Sequence, residues 1–307
     1  MSSAGRLDVA VVGAGRVGPV LGAALRAGGH RVVGVAARSR AGADRVGALL
    51  PDVPWIEVEE AFAADLVLLA VPDDVLGPLV ARYAPHVRAG QLLVHTCGLH
   101  GLDVLAPAAQ RGALPLALHP AMTFTGTSLD RERLHGAVVA VTAPAVLHPV
   151  ADSLVREWGA TPVPVAETDR ALYHAALAHG ANHLVTLVTQ ALDAARAVVG
   201  EAAPDLLRPL LSAALDNALT SPTTALTGPV ARGDVGTVVR HLDVLEARAG
   251  TDTALVYATL AAVAARRAAD DDRLAPEVAQ RLQDAVRSPA ATPAPSATTD
   301  PTGGELP

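Results

Sequence analysis

The chain has 307 residues, half of them apolar yet only 2% aromatic, and it carries 24 basic residues against 31 acidic ones for a net charge of −7. Every basic residue is an arginine, which excludes any mechanism built on a lysine, and no basic run or aromatic-spaced basic stripe supports a nucleic-acid partner. A single cysteine, Cys97, excludes an intramolecular disulfide, argues against a structural zinc site and fits a reducing cytoplasm.

The length predicts two domains, each able to bury a core, and the scarcity of aromatics predicts cores of Ala, Val and Leu suited to helix-on-sheet and helix-on-helix packing. The N-terminal MSSAGRLDVAVVGAG lacks the order of a signal peptide and reads as a first strand. No apolar segment of about 18 residues is free of both charges and helix breakers, so no membrane span is expected. Seven short apolar runs follow in order: LDVAVVG, HRVVGVAA, DLVLLAV, QLLVHTC, LPLALHP, AVVAVT and TPVPV. Each is expected to be a buried strand of a mainly parallel sheet. The stretches VGPVLGAALRAGG, AGADRVGALL, DDVLGPLVARYAPHV and AVLHPVADSLVREWG between them have helical spacing and close on Gly or Pro. Residues 1–166 are therefore expected to form a doubly wound α/β domain. From residue 167 the pattern turns helical, over roughly 167–199, 204–219, 234–249, 251–271 and 275–287, which predicts an all-α domain spanning 167–287. Its first helix would run about 50 Å before Gly200. The Pro-, Ala-, Thr- and Ser-rich stretch 288–307 has almost nothing to bury and is expected to be a disordered tail.

Directly after the first strand, GAGRVG (Gly13, Ala14, Gly15, Arg16, Val17, Gly18) has the GxGxxG arrangement with a helix following at once. Gly13 permits a tight turn, Gly15 lets a pyrophosphate approach the backbone, and Gly18 lets helix and strand pack, so a dinucleotide is expected here. An acidic residue at the end of the second strand would select NAD. Arg38, Ser39 and Arg40 stand there instead and can surround a 2′-phosphate, which favours NADP(H). Two further loops fall at strand ends. In AVPDD, Val71 and Pro72 are expected to pass under the nicotinamide, and Asp73 to N-cap the next helix. In HTCGLHG, Cys97 is expected to be a small buried strand-end residue, and His95 and His100 to be structural more often than catalytic. His119, in LHPAMTF, is the better placed candidate.

The stretch LYHAALAHGANH, residues 172–183, sets three histidines and an asparagine into Ala and Leu. At 100° per residue His174, Ala178 and Asn182 form one slowly turning line, flanked by Tyr173. A histidine with a pKa near neutrality can donate a proton to a reduced substrate, and Asn182 can orient it. The alternative is a partly buried His174 bonded to a backbone carbonyl. His179 and His183 stand four apart, but no glutamate lies between them and no third ligand follows, so no metal is expected. In LTGPVARGD, Thr227 offers a donor and Arg232 can clamp a carboxylate. Alternatively Asp234 caps the helix that begins at Val235 and Arg232 pairs with it on the surface.

GAGRVG, RSR, LAVPDD, HTCG, LHPAMTF, YHAALAHGAN and LTGPVARGD occur in an order that resembles NADP-binding Rossmann proteins with a helical C-terminal domain of unknown function. These are related to pyrroline-5-carboxylate reductase and ketopantoate reductase in the 6-phosphogluconate dehydrogenase-like group. The resemblance spans residues 7 to about 285 and implies NADPH-dependent reduction of a small carbonyl or imine acid, ketopantoate-like by first preference. It also implies catalysis in an interdomain cleft and a homodimer joined through helices. One departure stands out: where several of these enzymes place a lysine four residues before the asparagine, this chain has Ala178. Either another donor serves, or the substrate is an imine that arrives protonated. A third alternative is a regulatory protein that binds NADP without turnover.

Overall fold

The computed structural model describes residues 5–36 and 40–287, and it divides into two compact units at Gly180 and Ala181. The boundary falls later than the expected 166/167, so the first residues given to the helical domain pack with the sheet instead. Arg38 and Ser39 lie outside the described residues, as does the expected tail over 288–307.

In the first unit all seven expected strands form one sheet: β1 (Asp8–Val12), β2 (Arg31–Ala36), β3 (Leu66–Leu69), β4 (Leu92–His95), β5 (Leu114–Pro120), β6 (Val138–Thr142) and β7 (Thr161–Pro164). Their order is β2-β1-β3-β4-β5-β6-β7, parallel throughout except for the antiparallel pair β5 and β6. Five helices of eight or more residues accompany the sheet: α1 (Gly18–Ala27), α2 (Arg40–Leu49), α3 (Asp73–Tyr83), α4 (His148–Glu157) and α5 (Arg170–Leu177).

The period of two along each strand explains why the sheet is covered on both faces. Val9, Val11, Leu66, Leu68, Val94 and Leu116 enter one core, whereas Ala10, Val12, Val67, Leu69 and Leu93 enter another. β1 has β2 on one side and β3 on the other, so the order of strands reverses there. Open α/β sheets bind ligands outside the carboxyl ends of strands at such a switch point.

In the second unit the helices are α6 (His183–Val199), α7 (Ala203–Thr220), α8 (Val235–Ala249), α9 (Thr251–Asp270) and α10 (Pro276–Arg287). The last three supply its core, including Val238, Leu242, Ala261, Ala265 and Leu282. α6 buries no residue within the chain and α7 buries only Ala203. The expected long first helix is interrupted: Ala178–Asn182 between α5 and α6 is a π turn. A π turn takes i→i+5 bonds and so shifts every later side chain around the axis relative to the steady 100° step. The line assumed for His174, Ala178 and Asn182 is broken there. No helix among the described residues is long and apolar enough to cross a membrane.

Leu68 is fully buried at the middle of β3, with strands on both sides. Leu68→Ala is expected to cost about 3 kcal/mol through lost burial and the cavity left behind. A fall of that size in unfolding free energy, measured by urea titration with circular dichroism, checks it.

Candidate active site

The glycine turn is held by sterics that only glycine satisfies. Gly13 has φ of 109°, and a Cβ there would collide with the Ala70 carbonyl at the end of β3. A Cβ on Gly18 would strike the Gly13 carbonyl, so α1 could not pack this close to β1. Gly15 is different: nothing lies within 4 Å of where its Cβ would be. That open space adjoins the N-terminus of α1, where Val17 is the N-cap and no side chain caps the amides. Ala14 is buried, Arg16 exposed and Val17 half-buried. The Arg45 Nε donates to the Ala14 carbonyl at 3.2 Å, adding a guanidinium beside the turn that the sequence argument missed. Uncapped amides, a positive helix end and room at Gly15 together fit a dinucleotide pyrophosphate. Arg40 opens α2, the helix that carries Arg45.

Along the same carboxyl edge of the sheet lies a polar cluster. His119 Nδ1 and Tyr173 Oη are hydrogen-bonded at 2.8 Å, with their rings nearly perpendicular and 5.6 Å apart. The His174 and His119 rings are also nearly perpendicular, with centroids 6.2 Å apart. Gly98, just past β4, makes this possible. A Cβ there would stand 2.7 Å from His174 Cδ2 and 3.0 Å from His119 Nε2, so any larger residue would displace both imidazoles. Three of the expected residues, His119, Tyr173 and His174, are thus brought together.

The cluster is positioned by a residue the sequence argument did not single out. Arg170, at the start of α5, is only 1% exposed, and its hydrogen bonds go to neutral oxygens. Its Nε donates to Thr142 Oγ1 at 2.8 Å, and its Nη2 to the carbonyls of Ala117 at 2.8 Å and Ala140 at 3.3 Å. Nη1 reaches the Cys97 carbonyl at 3.4 Å. Burial lowers the Arg170 pKa from its ordinary value. Burial and then the Arg170 charge push His119 down to about 4, so its ring is neutral near pH 7. Burial raises the Tyr173 phenol. Nearby, Glu167 accepts from the Leu102 amide at 2.5 Å and the Asp103 amide at 3.3 Å, in a space that a side chain on Gly101 would fill.

His95 and Cys97 fill the structural roles expected of them. The Cys97 amide donates to His95 Nδ1 at 3.2 Å, which makes Nδ1 the acceptor, so the proton sits on Nε2 and is given to the Gly101 carbonyl at 2.7 Å. Burial pushes His95 down to about 4 and the Cys97 thiol up to about 12. Asp73 differs from expectation: Pro72 occupies the N-cap, and Asp73 is the first residue of α3. The Asp73 carboxylate adds to the effect of burial in raising the Cys97 thiol. Val71 packs against the position a Cβ would take on Gly13.

The second unit carries the remaining candidates. Asn182 ends the π turn and is exposed. Thr227 is the N-cap of a single helical turn, Gly228–Ala231, and Arg232 follows it as an exposed C-cap. Asp234 accepts from the Thr237 amide at 3.0 Å, which is the capping alternative, and hydrogen bonding to the Thr237 side chain and then to this amide holds its carboxyl below the usual range. Among the described residues no three His, Cys, Asp or Glu side chains stand together to hold a metal ion.

Residues 2–120 match the model of a Rossmann-like domain, and residues 137–264 match that of a domain of unknown function, DUF2520. No curated protein matches the chain. Among solved structures, an imine reductase from Pseudomonas sp. is 18% identical with a TM-score of 0.65, covering 91% of this chain and 99% of that one. An imine reductase from Myxococcus stipitatus, in complex with NADP+, is 19% identical with a TM-score of 0.61 over 86% and 94% of the two chains. A Plasmodium falciparum pyrroline carboxylate reductase with NADP bound is 12% identical with a TM-score of 0.55 over 91% and 99%. At these identities the likeness establishes the fold: a Rossmann-like sheet domain followed by a helical region.

The depressed histidines predict a pH dependence with a definite sign. An unfolded histidine titrates at about 6.5, whereas native His95 titrates at about 4. Between these values the unfolded chain holds the extra proton. The stabilisation from neutral His95 is complete above pH 6.5 and is lost as pH falls toward 4, by about 3 kcal/mol for this residue. Urea titrations at pH 7 and pH 4.5 check it, with a flatter dependence expected for His95→Gln. For His119, removing the cation in Arg170→Met is expected to move its titration upward, as followed by the imidazole proton shift.

Proposed function

We propose that the chain is an NADPH-dependent reductase acting on the C=N bond of a small imine, with reduction of a small 2-oxo acid as the second candidate. One observation carries the proposal. A glycine turn shaped for a pyrophosphate and a His119, Tyr173 and His174 cluster occupy the carboxyl ends of β1 and β5, on one edge of one sheet. The imine reductases and pyrroline carboxylate reductase of the same fold support the class. Gly13, Ala14, Gly15, Arg16, Val17 and Gly18 would hold the pyrophosphate. Arg38, Ser39 and Arg40, with no acidic residue at that strand end, favour NADPH over NADH, and Arg45 adds positive charge beside the turn. NADPH supplies the hydride when bound.

The chain's own groups then have two tasks. Tyr173 presents a phenolic hydrogen-bonding group in the cluster, with His119 Nδ1 fixing its orientation. His174 offers a second donor in the same cluster. His119 is neutral near pH 7 and so does not serve as a cationic acid. A substrate that brings its own proton suits such a site: hydride added to a protonated C=N carbon gives a neutral amine with no further proton needed. A ketone instead requires Tyr173 or His174 to protonate the new alkoxide.

Purified protein with NADPH and a panel of cyclic imines and 2-oxo acids tests this by loss of the reduced-coenzyme absorbance. Turnover is expected with an imine, with NADPH bound more tightly than NADH. With a 2-oxo acid, whose new alkoxide needs a proton, Tyr173→Phe is expected to lower kcat about 100-fold with coenzyme affinity unchanged, and with a protonated imine far less. Equal kcat in the variant removes Tyr173 from the mechanism. Coenzyme binding without turnover across the panel favours the regulatory alternative.

We also propose that two copies pair through the helical unit. α6 buries nothing within the chain and leaves Leu184, Val185, Leu187, Val198 and Val199 exposed, with Leu206, Leu210 and Leu219 exposed on α7. Sedimentation is expected to show a dimer, and Val185→Arg to shift it toward monomer.

A further inference from the structure

We infer that Asp130 is a positioning residue for the coenzyme, an inference that rests on the coenzyme reading above. Through the loop 125–127 it sets the Arg45 guanidinium beside the glycine turn, in place for a diphosphate. Asp130 lies on a short helix, Leu129–Leu134, that follows β5. Leu134 enters the same core as Val20 and Leu21 of α1, so this helix is seated on the one that opens at the glycine turn. The Asp130 side chain is fully buried. Its Oδ2 accepts from the Thr125 amide at 2.7 Å and the Gly126 amide at 2.6 Å, and its Oδ1 accepts from Thr125 Oγ1 at 3.0 Å. The Thr125 and Thr127 hydroxyls are joined at 2.9 Å, and the exposed Arg133 guanidinium stands 3.7 Å from Oδ1. A buried carboxylate is costly unless donors of this kind meet it, so Asp130 and the loop hold each other in place.

What the loop holds in turn is Arg45. Gly126 is buried with φ of 81°, and a Cβ there would stand 2.8 Å from Arg45 Cδ and 3.3 Å from Arg16 Cα. The bare Gly126 backbone is therefore the surface against which the Arg45 stem lies. The next atom along that stem, Nε, donates to the Ala14 carbonyl at 3.2 Å. With Cδ packed and Nε bonded, the rigid planar guanidinium is held beside the turn.

Among the described residues neither Nη of Arg45 nor the Arg16 guanidinium has a hydrogen-bond or ion-pair partner. Two guanidinium groups with open donors thus adjoin the uncapped amides of α1 and the room at Gly15, a setting that suits the negative charges of a diphosphate. The bond to Ala14 lies within the turn itself. It assigns Arg45 to the diphosphate, and not to the 2′-phosphate proposed for residues 38–40.

Calorimetric titration of the full-length protein with NADPH and NADH tests this, since both carry the diphosphate and only one carries the 2′-phosphate. Asp130→Ala frees the loop, and Gly126→Ala displaces the Arg45 stem while leaving Asp130 in place. Each is expected to weaken both coenzymes about tenfold with their ratio unchanged. In an Arg45→Met background neither substitution is expected to cost further affinity, because the interaction lost is the same one, whereas a general loosening of the unit would add. Circular dichroism establishes that the variants fold, and Gly126→Ala decides alone if Asp130→Ala does not. The inference is overturned if a folded variant binds NADPH like the wild type, if NADPH alone weakens so that the ratio changes, or if the losses add to that of Arg45→Met. A wild type that binds neither coenzyme overturns the coenzyme reading and the inference with it, whereas a wild type that binds while both variants bind equally well overturns the inference alone.

Discussion

The Arg170 guanidinium is the constraint on which the cluster at the sheet edge depends. A buried cation is unfavourable unless its donors are met, and here they are met by the backbone carbonyls of Ala117, Ala140 and Cys97 and by the Thr142 hydroxyl. These partners belong to β5, β6 and the segment after β4. One side chain therefore ties the start of α5 to three neighbouring parts of the sheet. Tyr173 and His174 follow within the next helical turn and are delivered to His119 by that anchor.

The same charge sets the protonation of its surroundings. His95 and His119 are depressed first by burial and then by the guanidinium, so both imidazoles are neutral where an exposed histidine would be partly charged. For His95 the bonding pattern fixes the tautomer as well. Neutral rings bring no formal charge into a poorly hydrated space, and burial together with the guanidinium opposes their taking one up.

Much of the fold was legible in the sequence because its determinants are local. Each of the seven strands is a short apolar run between breakers, and the alternation of Val9 and Val11 with Ala10 and Val12 is visible without any structure. The glycine turn was legible for the same reason: three glycines at fixed spacing imply a backbone shape. What escaped depended on distant contacts. Arg170 in TDRALYH looks like an ordinary surface arginine, since nothing local says that strand carbonyls some 30 to 70 residues away in sequence will receive it. Gly98 had a weak signal, a glycine just past a buried strand, but only the approach of His119 and His174 explains it. The π turn at Ala178–Asn182 has no reliable local code and broke the one argument that relied on a constant helical step across it. Arg232 was placed by motif alone, and the capping geometry of Asp234 leaves it at the surface.

The scarcity of aromatics gives the remaining step its force. The chain has three tyrosines, and two of them, Tyr173 and Tyr257, bond through the phenol oxygen to a histidine Nδ1, one in each unit. A phenol combines a broad apolar ring with one polar tip, and a histidine partner fixes where that tip points without adding a formal charge. In a protein whose cores are built from Ala, Val and Leu, neither ring is needed to fill volume. Tyr173 bonds to the His119 ring whose close approach Gly98 permits, and Tyr257 borders a cavity among α6, α8 and α9. Each of these rare rings instead carries its one polar atom to a histidine, Tyr173 in the first unit and Tyr257 in the second.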